Sequence, residues 1–252
     1  MRDRTPPQDN VIFGIHPVRE ALRSGKNRVE KIFVSQDRRD ARLGEVMELA
    51  RARGIPITRL TSPLFRRLFG VRGLQSLAAQ VASVPFEDPD ELIDSAEKGL
   101  FLVIDEVTDP RNLGSIFRSA AAAGVDGVLL PTRHVAPISP TVEKASAGGV
   151  NYVRTARVTN LVNLIKTFNE RGVQTVGLVP GAPKSYLDVD LTIPTALVVG
   201  GEERGVRRLI RENCRETASI PMSGPLQSLN VSVATAVVLY EALRQRRREQ
   251  LG

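Results

Sequence analysis

Apolar residues recur along the chain with two spacings, and each spacing predicts one kind of element. Short runs rich in Val, Ile and Leu predict strands, and apolar residues three to four positions apart predict amphipathic helices. In the first third of the chain, helices are predicted at 15–22, 41–52 and 63–69, and strands at 29–34, 55–58 and 77–81. This alternation indicates a small α/β sandwich.

The rest of the chain repeats the alternation with more strongly apolar strands. Strands are predicted at 100–105, 128–130, 173–179, 196–199 and 217–220, and helices at 112–123, 161–170, 206–213 and 231–248. The run LFLVID at 100–105 is typical of a strand that is buried on both faces of a parallel sheet. Strands separated by helices of ~10–15 residues predict a parallel α/β domain.

A short acidic segment lies between these two patterns. Residues 83–97 contain two prolines, six acidic residues and no basic residue. The segment has little periodicity, so we predict a linker or crossing segment. The predicted organisation is an N-terminal domain at 1–82, an acidic linker at 83–97 and a C-terminal domain at 98–252.

Composition and charge narrow the possible functions. The net charge is +7, which fits a polyanionic partner such as nucleic acid, although a basic surface also serves solubility. Neither a signal peptide nor an apolar run of ~20 residues is apparent, so no membrane is expected. One cysteine, Cys214, cannot form an internal disulfide, and we expect a cytoplasmic protein. No zinc, P-loop, kinase or G-x-S-x-G motif is present, so no metal is expected.

The first of three unusual strand-to-loop junctions is DEVTDPRNLGSIFRSAAAAG at 105–124. In open α/β sheets, ligands bind beyond the carboxyl ends of the strands. Asn112 lies at the start of the predicted helix, and Arg118 follows six residues later. Taken alone, Asn112 could be a helix N-cap and Arg118 a surface cation.

The second and third junctions come later in the chain. VVGGEERGV at 198–206 places Glu202 after a buried strand and two glycines, and acidic residues there could also stabilise a helix start. IPMSGPLQSLNVSVATAVVLYEAL at 220–243 leads from a strand through a polar loop into a helix. Ser228 and Asn230 are good helix caps, so a capped amphipathic helix is the alternative interpretation.

In this order and spacing, the three stretches resemble the N-x-G-x-x-x-R, G-x-E and I-P-M-x-G…S-L-N-V-S-x-A motifs of the SpoU/TrmH family of RNA 2'-O-ribose methyltransferases. The opening FGIHPVREAL at 13–22 is similar to the family's RNA-binding domain, which resembles ribosomal protein L30e. KASAGGVNYVRTARVTNL at 144–161 resembles the bacterial 23S rRNA guanosine-2'-O-methyltransferases. The resemblance covers nearly the whole chain. It implies an L30e-like α/β domain followed by a parallel-sheet α/β domain with a trefoil knot, a rare topology.

The resemblance also implies S-adenosylmethionine as cofactor and a homodimer with its active site at the interface. The residues carried over as cofactor-binding are Gly200, Ile220, Leu229, Leu178, Met222, Asn230 and Ala234. Those carried over as catalytic are Arg118, Asn112, Glu202, Ser228 and Asn230. The family assigns the central role to Arg118. Since a guanidinium is not readily deprotonated in proteins, we expect it to orient the ribose 2'-hydroxyl and stabilise a developing alkoxide.

The N-terminal domain is expected to hold the RNA through phosphate contacts, which position RNA without specifying a base. The candidate residues are Arg19, Arg23, Arg38, Arg39, Arg66, Arg67 and Arg72. In one place the chain departs from the family, whose N-terminal domain often ends in H-Q-G-x-x-A. Here the run is Leu74-Gln75-Ser76, without the histidine and the glycine, which puts the details of substrate docking in doubt.

Three functions remain open. The first is methylation of a guanosine in the peptidyl-transferase loop of 23S rRNA, in free rRNA or a ribosomal assembly intermediate. The second is methylation of tRNA or of another rRNA nucleotide, including antibiotic-resistance types, although tRNA enzymes of the family usually lack the L30e-like domain. The third is a non-catalytic RNA-binding protein on the same scaffold, which the presence of all five catalytic candidates disfavours.

Overall fold

The computed structural model describes residues 10–26, 28–36, 41–70, 76–96, 98–202 and 204–251. The predicted RNA-binding residues Arg38, Arg39 and Arg72, and the Leu74-Gln75 stretch, lie outside these ranges. The chain forms two compact units. One contains Met1–Val84 together with Pro137–Tyr152, and the other contains Pro85–Ala136 and Val153–Gly252. Each compact unit therefore consists of two separate segments of the chain, and no single boundary in the sequence divides them.

The N-terminal unit is built on a four-stranded mixed sheet. Its elements are β1 (Val11–Phe13), α1 (Ile15–Arg23), β2 (Val29–Ser35), α2 (Ala41–Ala52), β3 (Ile57–Leu60), α3 (Ser62–Phe69), β4 (Leu77–Val81) and α6 (Pro140–Ala145), followed by a 3-10 turn (Gly149–Asn151). The strand order is β1-β4-β2-β3. Strands β2 and β3 are parallel and the other pairs are antiparallel. Strand β3 therefore lies at one edge.

Successive apolar side chains of β2 point to opposite faces of this sheet and contribute to a hydrophobic core on each face. Ile32 and Val34 pack with the buried faces of α1 and α2, whereas Phe33, between them, points to the other face. There it meets Phe69 of α3 at a ring-centroid distance of 5.3 Å, edge to face. Full burial of one such side chain contributes ~1.5–3 kcal/mol. This arrangement is the α/β sandwich that the sequence predicts.

A buried ion pair joins the segment 137–152 to the N-terminal residues of the same unit. The Arg28 guanidinium lies 2.8 Å from Glu143 Oε1, and both side chains are at most 5% exposed. Arg28 also donates hydrogen bonds to the Ala82 carbonyl at 3.0 Å and to Asn151 Oδ1. Gly148 approaches α1 so closely that a Cβ there would lie 2.5 Å from Glu20 Cβ. The packing of this segment therefore depends on the Glu143 carboxylate, which pairs with Arg28, and on the absence of a side chain at Gly148.

The second unit contains a seven-stranded, wholly parallel sheet. Its elements are α4 (Pro89–Asp94), β5 (Leu100–Ile104), α5 (Pro110–Ala123), β6 (Gly127–Pro131), β7 (Arg154–Val158), α7 (Leu161–Glu170), β8 (Gln174–Leu178), β9 (Lys184–Ser185), a 3-10 turn (Tyr186–Asp188), β10 (Thr195–Val199), α8 (Arg208–Asn213), β11 (Glu216–Ser219) and α9 (Val231–Leu251). The strand order is β7-β6-β5-β10-β8-β11-β9. The predicted parallel α/β class is confirmed.

Helices cover this sheet in two groups. Phe101 and Val103 of β5 belong to a buried cluster with residues of α4, α7 and α8. The alternate positions Leu102 and Ile104 face the other side of the sheet and are fully buried. Helices α5 and α9 pack against each other and contribute no residue to the first cluster. Within the described ranges, no helix is both long and apolar enough to cross a membrane.

The segment between the two predicted domains contains regular structure. Asp88 caps α4, because its side chain accepts hydrogen bonds from the backbone N–H groups of Asp90 and Glu91. Leu92 and Ile93 of α4 are buried. Asp88, together with the acidic first-turn residues Asp90 and Glu91, thus stabilises the start of a short helix whose apolar side packs into the core of the second unit.

Candidate active site

A cleft opens where two neighbouring strands, β8 and β11, end at the same edge of the large sheet. It encloses about 370 Å³ when its open mouth is included. Its lining comprises Leu178, Val179, Pro180, Ser219, Ile220, Met222, Gln227, Ser228, Leu229 and Ala234. Most of these side chains are apolar, and they lie at or after the ends of β8 and β11 or near the start of α9. The cleft lies where open α/β sheets bind ligands.

The cleft brings together five of the predicted cofactor-binding residues: Leu178, Ile220, Met222, Leu229 and Ala234. Within the described chain, the backbone N–H groups of Ile220, Met222 and Leu229 donate no backbone hydrogen bond. These donors are therefore available to a bound molecule. Val179, Pro180, Ser219 and Gln227 also line the cleft and were not predicted, although two of them directly follow Leu178 and one directly precedes Ile220.

Gly200, another predicted cofactor residue, is not part of the cleft lining. A Cβ at Gly200 would lie 1.8 Å from the carbonyl carbon of Gly205. The backbone turns back at this point, and the Gly205 N–H donates a hydrogen bond to the Gly201 carbonyl at 2.9 Å. Only glycine fits where the backbone passes itself this closely. Position 200 therefore requires glycine because the backbone of Gly205 passes so close to it.

Asn112 is not the cap of α5. Asp109 takes that position, and its side chain accepts a hydrogen bond from the Arg111 N–H at 2.7 Å. The Asn112 side chain is consequently free to donate to Glu202 Oε1. Its Oδ1 accepts a hydrogen bond from Asn230 Nδ2 at 3.2 Å. One polar chain thus joins the three predicted motifs.

Asn230 also caps α9, as the alternative interpretation allowed. Its Oδ1 accepts hydrogen bonds from the Ser232 N–H at 2.9 Å and the Ser232 hydroxyl at 2.7 Å. The same side chain therefore fixes the start of α9 and reaches Asn112. Ser228, two residues earlier, lies in the cleft lining. Asn230 itself is not a lining residue, although it directly follows Leu229, which is.

Arg118 lies on α5 with its side chain exposed. No hydrogen bond or ion pair joins its guanidinium to any residue in the described part of the chain. This differs from Asn112, Glu202 and Asn230, which form hydrogen bonds with one another. Its charge is free to contact a substrate.

An ion pair that the sequence analysis did not single out fixes the loop of the second motif. Asp105 follows β5 and is fully buried. Its carboxylate accepts hydrogen bonds from Arg207 Nε at 2.8 Å and from the Arg207 backbone N–H at 3.1 Å, and these interactions raise the pKa of Arg207. The sequence feature that could have indicated this pair is the single acidic residue, Asp105, at the end of an apolar run. The pair ties the loop after β10 to the end of β5.

The described arginines among the RNA-binding candidates are mostly held by other groups. Arg19 lies 3.0 Å from Glu20 and Arg23 pairs with Glu45. Arg66 donates to the Ser62 carbonyl at 3.5 Å, and Arg67 also has a partner. The acids beside Arg19 and Arg23 reduce the positive potential that these side chains offer to a polyanion.

A two-unit protein with a parallel sheet, a cleft at the strand ends and a polar chain joining three loops has the architecture that the motifs imply. The SpoU rRNA methylase family model matches residues 99–240. The model of the RNA 2'-O ribose methyltransferase substrate-binding domain matches residues 11–86. The chain belongs to the SpoU rRNA methylase family, which confirms the resemblance drawn from the motifs.

Several relatives extend over almost the whole chain. A 23S rRNA (guanosine-2'-O-)-methyltransferase, RlmB, from Xanthomonas campestris is 38% identical over 95% of this chain and 98% of its own length. An uncharacterized tRNA/rRNA methyltransferase from Mycolicibacterium gilvum is 39% identical over 98% of this chain and 80% of its own length. The crystal structure of the SpoU methyltransferase AviRb from Streptomyces viridochromogenes, in complex with AdoMet, has a TM-score of 0.80 at 28% identity and covers 97% of this chain and 92% of AviRb.

Proposed function

We propose that this protein transfers a methyl group from S-adenosylmethionine to the ribose 2'-hydroxyl of a guanosine in 23S rRNA. The observation that carries the proposal is the polar chain Glu202–Asn112–Asn230, which joins the three motif loops, together with an apolar cleft that residues of the third motif line. The similarity to RlmB over nearly full length supports the rRNA guanosine as substrate. Because that substrate is rRNA, we infer that the protein works in the cytoplasm.

The cleft fits S-adenosylmethionine on two counts. Its apolar side chains suit an adenine ring, and the free N–H groups of Ile220, Met222 and Leu229 suit the ring nitrogens and the polar tail. The related AviRb structure contains AdoMet. When bound, the cofactor supplies a methyl group on a positively charged sulfur. The remaining task of the protein is to orient the ribose hydroxyl and to manage its proton.

Arg118 is the residue that we assign to the ribose hydroxyl. As its guanidinium has no partner among the described residues, it can donate hydrogen bonds to the hydroxyl oxygen and stabilise the charge that develops there. Asn112 is held by Glu202 and Asn230, so it can present a fixed polar group to the ribose. Ser228 adds a hydroxyl at the cleft rim.

We also propose a homodimer. Helix α9 carries two large exposed apolar residues, Val233 at 49% and Tyr240 at 52% exposure. They are seven residues apart and so lie on one face of the helix. Leu226 and Leu229, in the loop that leads into α9, are also exposed. Large exposed apolar residues on one helix face and in the adjoining loop favour an interface, and a second copy of the chain is the partner that the family implies.

The direct test is to map ribose methylation in rRNA and tRNA from cells with and without the gene. We expect one 2'-O-methyl guanosine to disappear from 23S rRNA and to return when the gene is restored. The purified protein should then methylate the same nucleotide in unmodified 23S rRNA. If a tRNA mark disappeared instead, the reaction would still be ribose 2'-O-methylation, but the substrate would be tRNA. An unchanged methylation map would contradict the proposal that the protein methylates rRNA constitutively.

Replacing Ala234 with leucine should weaken S-adenosylmethionine binding at least tenfold. The added side chain would enter the cleft next to Leu178 and Ile220, and over-filling a packed site costs ~1–3 kcal/mol. Isothermal titration calorimetry measures the effect. Ala236→Leu is the matched control, because Ala236 is also half-buried on α9 but does not line the cleft; this variant should bind normally. Equal affinity for the two variants would exclude this cleft as the cofactor site.

A further inference from the structure

A groove in the N-terminal unit has no part in the site described above. It lies between α2 and the carboxyl ends of β2 and β3, and it encloses about 710 Å³ including its open mouth. Its floor is formed by Val34, Leu43 and Met47, all at most 9% exposed. Because β3 is an edge strand, the groove is open to solvent on that side. An apolar floor beneath a wide opening suits a flat ring.

A glycine inside α2 widens this groove. Gly44 is exposed, and a Cβ at this position would meet no atom within 4 Å. Its φ is not positive, so neither packing nor backbone conformation requires glycine. Glycine inside a helix is destabilising relative to alanine. An occupant that approaches the helix backbone would account for a residue that the fold itself does not need.

Two arginines from separate elements line the groove. Arg51 lies two turns after Gly44 on α2, and Arg59 lies on β3, on the same face as Ile57, which packs beneath α2. Both are exposed, and neither side chain forms a hydrogen bond or ion pair with the residues that the structure describes. Glu48 is the one acid in the lining. These two guanidinium groups are therefore available to an anion.

We propose that this groove seats one unpaired nucleotide of the RNA substrate. Its base or ribose lies on the apolar floor beside Gly44, and Arg51 and Arg59 bind the phosphates on either side. Guanidinium groups bind phosphate with two hydrogen bonds each, and unpaired bases are the usual target of RNA-binding proteins. The proposal rests on the proposed function and identifies where the N-terminal unit holds RNA.

The test compares Arg51→Gln and Arg59→Gln with Arg53→Gln. Arg53 is exposed and lies just beyond α2, so its replacement removes the same charge outside the groove. Binding of 23S rRNA transcribed in vitro is measured at several salt concentrations. Each groove variant should bind about fivefold more weakly, and its salt dependence should fall by about one phosphate contact. Arg53→Gln should bind within about twofold of the wild-type protein, and S-adenosylmethionine affinity should not change in any variant.

Two substitutions at Gly44 separate occupancy of the groove from folding. Gly44→Ala should fold at least as well as the wild type and bind RNA more weakly, because its methyl group would occupy space that the proposed nucleotide approaches. Gly44→Glu should fold and bind RNA at least fivefold more weakly, because its carboxylate would face the phosphates. Equal RNA affinities for Arg51→Gln, Arg59→Gln and Arg53→Gln would contradict the proposed nucleotide site in the groove and leave the proposed methyltransferase function unaffected. If the wild-type protein itself neither bound nor methylated 23S rRNA, the proposed function would fail with it.

Discussion

Replacing Arg118 with alanine should lower the rate of methyl transfer by about 10³-fold and leave the thermal unfolding temperature nearly unchanged. The guanidinium is exposed and has no partner in the described chain, so its removal leaves no buried group unpaired, and such surface changes usually alter stability by less than ~0.5 kcal/mol. Single-turnover methylation with saturating RNA and cofactor measures the rate. Calorimetry with S-adenosylmethionine should give the wild-type affinity.

Arg118→Lys is the informative companion variant. Lysine keeps the charge but not the planar, forked set of donors, so activity should stay well below that of the wild type if hydrogen-bond geometry matters. A loss of folding or of cofactor binding in Arg118→Ala would mean that the residue has a structural role. Near-normal turnover would remove Arg118 from the proposed mechanism altogether.

Replacing Arg28 with methionine should lower the free energy of unfolding of the N-terminal unit by ~3–5 kcal/mol, the usual cost of leaving one partner of a buried ion pair alone. Glu143 would keep only Asn151 Nδ2, at 3.4 Å. The Ala82 carbonyl and Asn151 Oδ1 would also lose their donor. Chemical unfolding followed by circular dichroism measures the change.

Two further variants establish whether burial causes this loss. Arg23 forms an exposed pair with Glu45, so Arg23→Ala should cost less than ~1 kcal/mol. The double variant Arg28→Met with Glu143→Leu removes both charges and should recover much of the lost stability. If the double variant were no more stable than Arg28→Met alone, the penalty would not come from the unpaired Glu143.

Much of the fold was predictable because burial leaves a strong pattern in the sequence. The apolar run at 100–104 is typical of a strand that is buried on both faces, and the structure has β5 there. Edge elements were missed for the opposite reason. β7, with sequence RTARV, lies at the edge of its sheet, so charged residues interrupt its apolar positions. The strand predicted at 55–58 is observed at Ile57–Leu60, because Pro56 cannot donate to the ladder.

The site was predictable only as far as the motifs reach. Residue types and order indicated which loops meet, and the hydrogen-bonded chain Glu202–Asn112–Asn230 joins those three loops. Periodicity could not distinguish Asn112 from Asp109 as the cap of α5, since both residue types cap well. Pairs distant in sequence, such as Asp105 with Arg207, depend on how the strands are ordered. One sequence does not encode that order in any local pattern.

The return of residues 137–152 to the N-terminal unit determines when that unit can finish folding during synthesis. Arg28 and Asn151 are 123 positions apart, a separation that takes the ribosome roughly 6–25 s to translate at ~5–20 residues per second. Meanwhile β5, α5 and β6 of the second unit have already been made. The two units therefore mature in an interleaved order, and a nascent chain that stalls before Tyr152 presents an unfinished N-terminal core to chaperones and proteases.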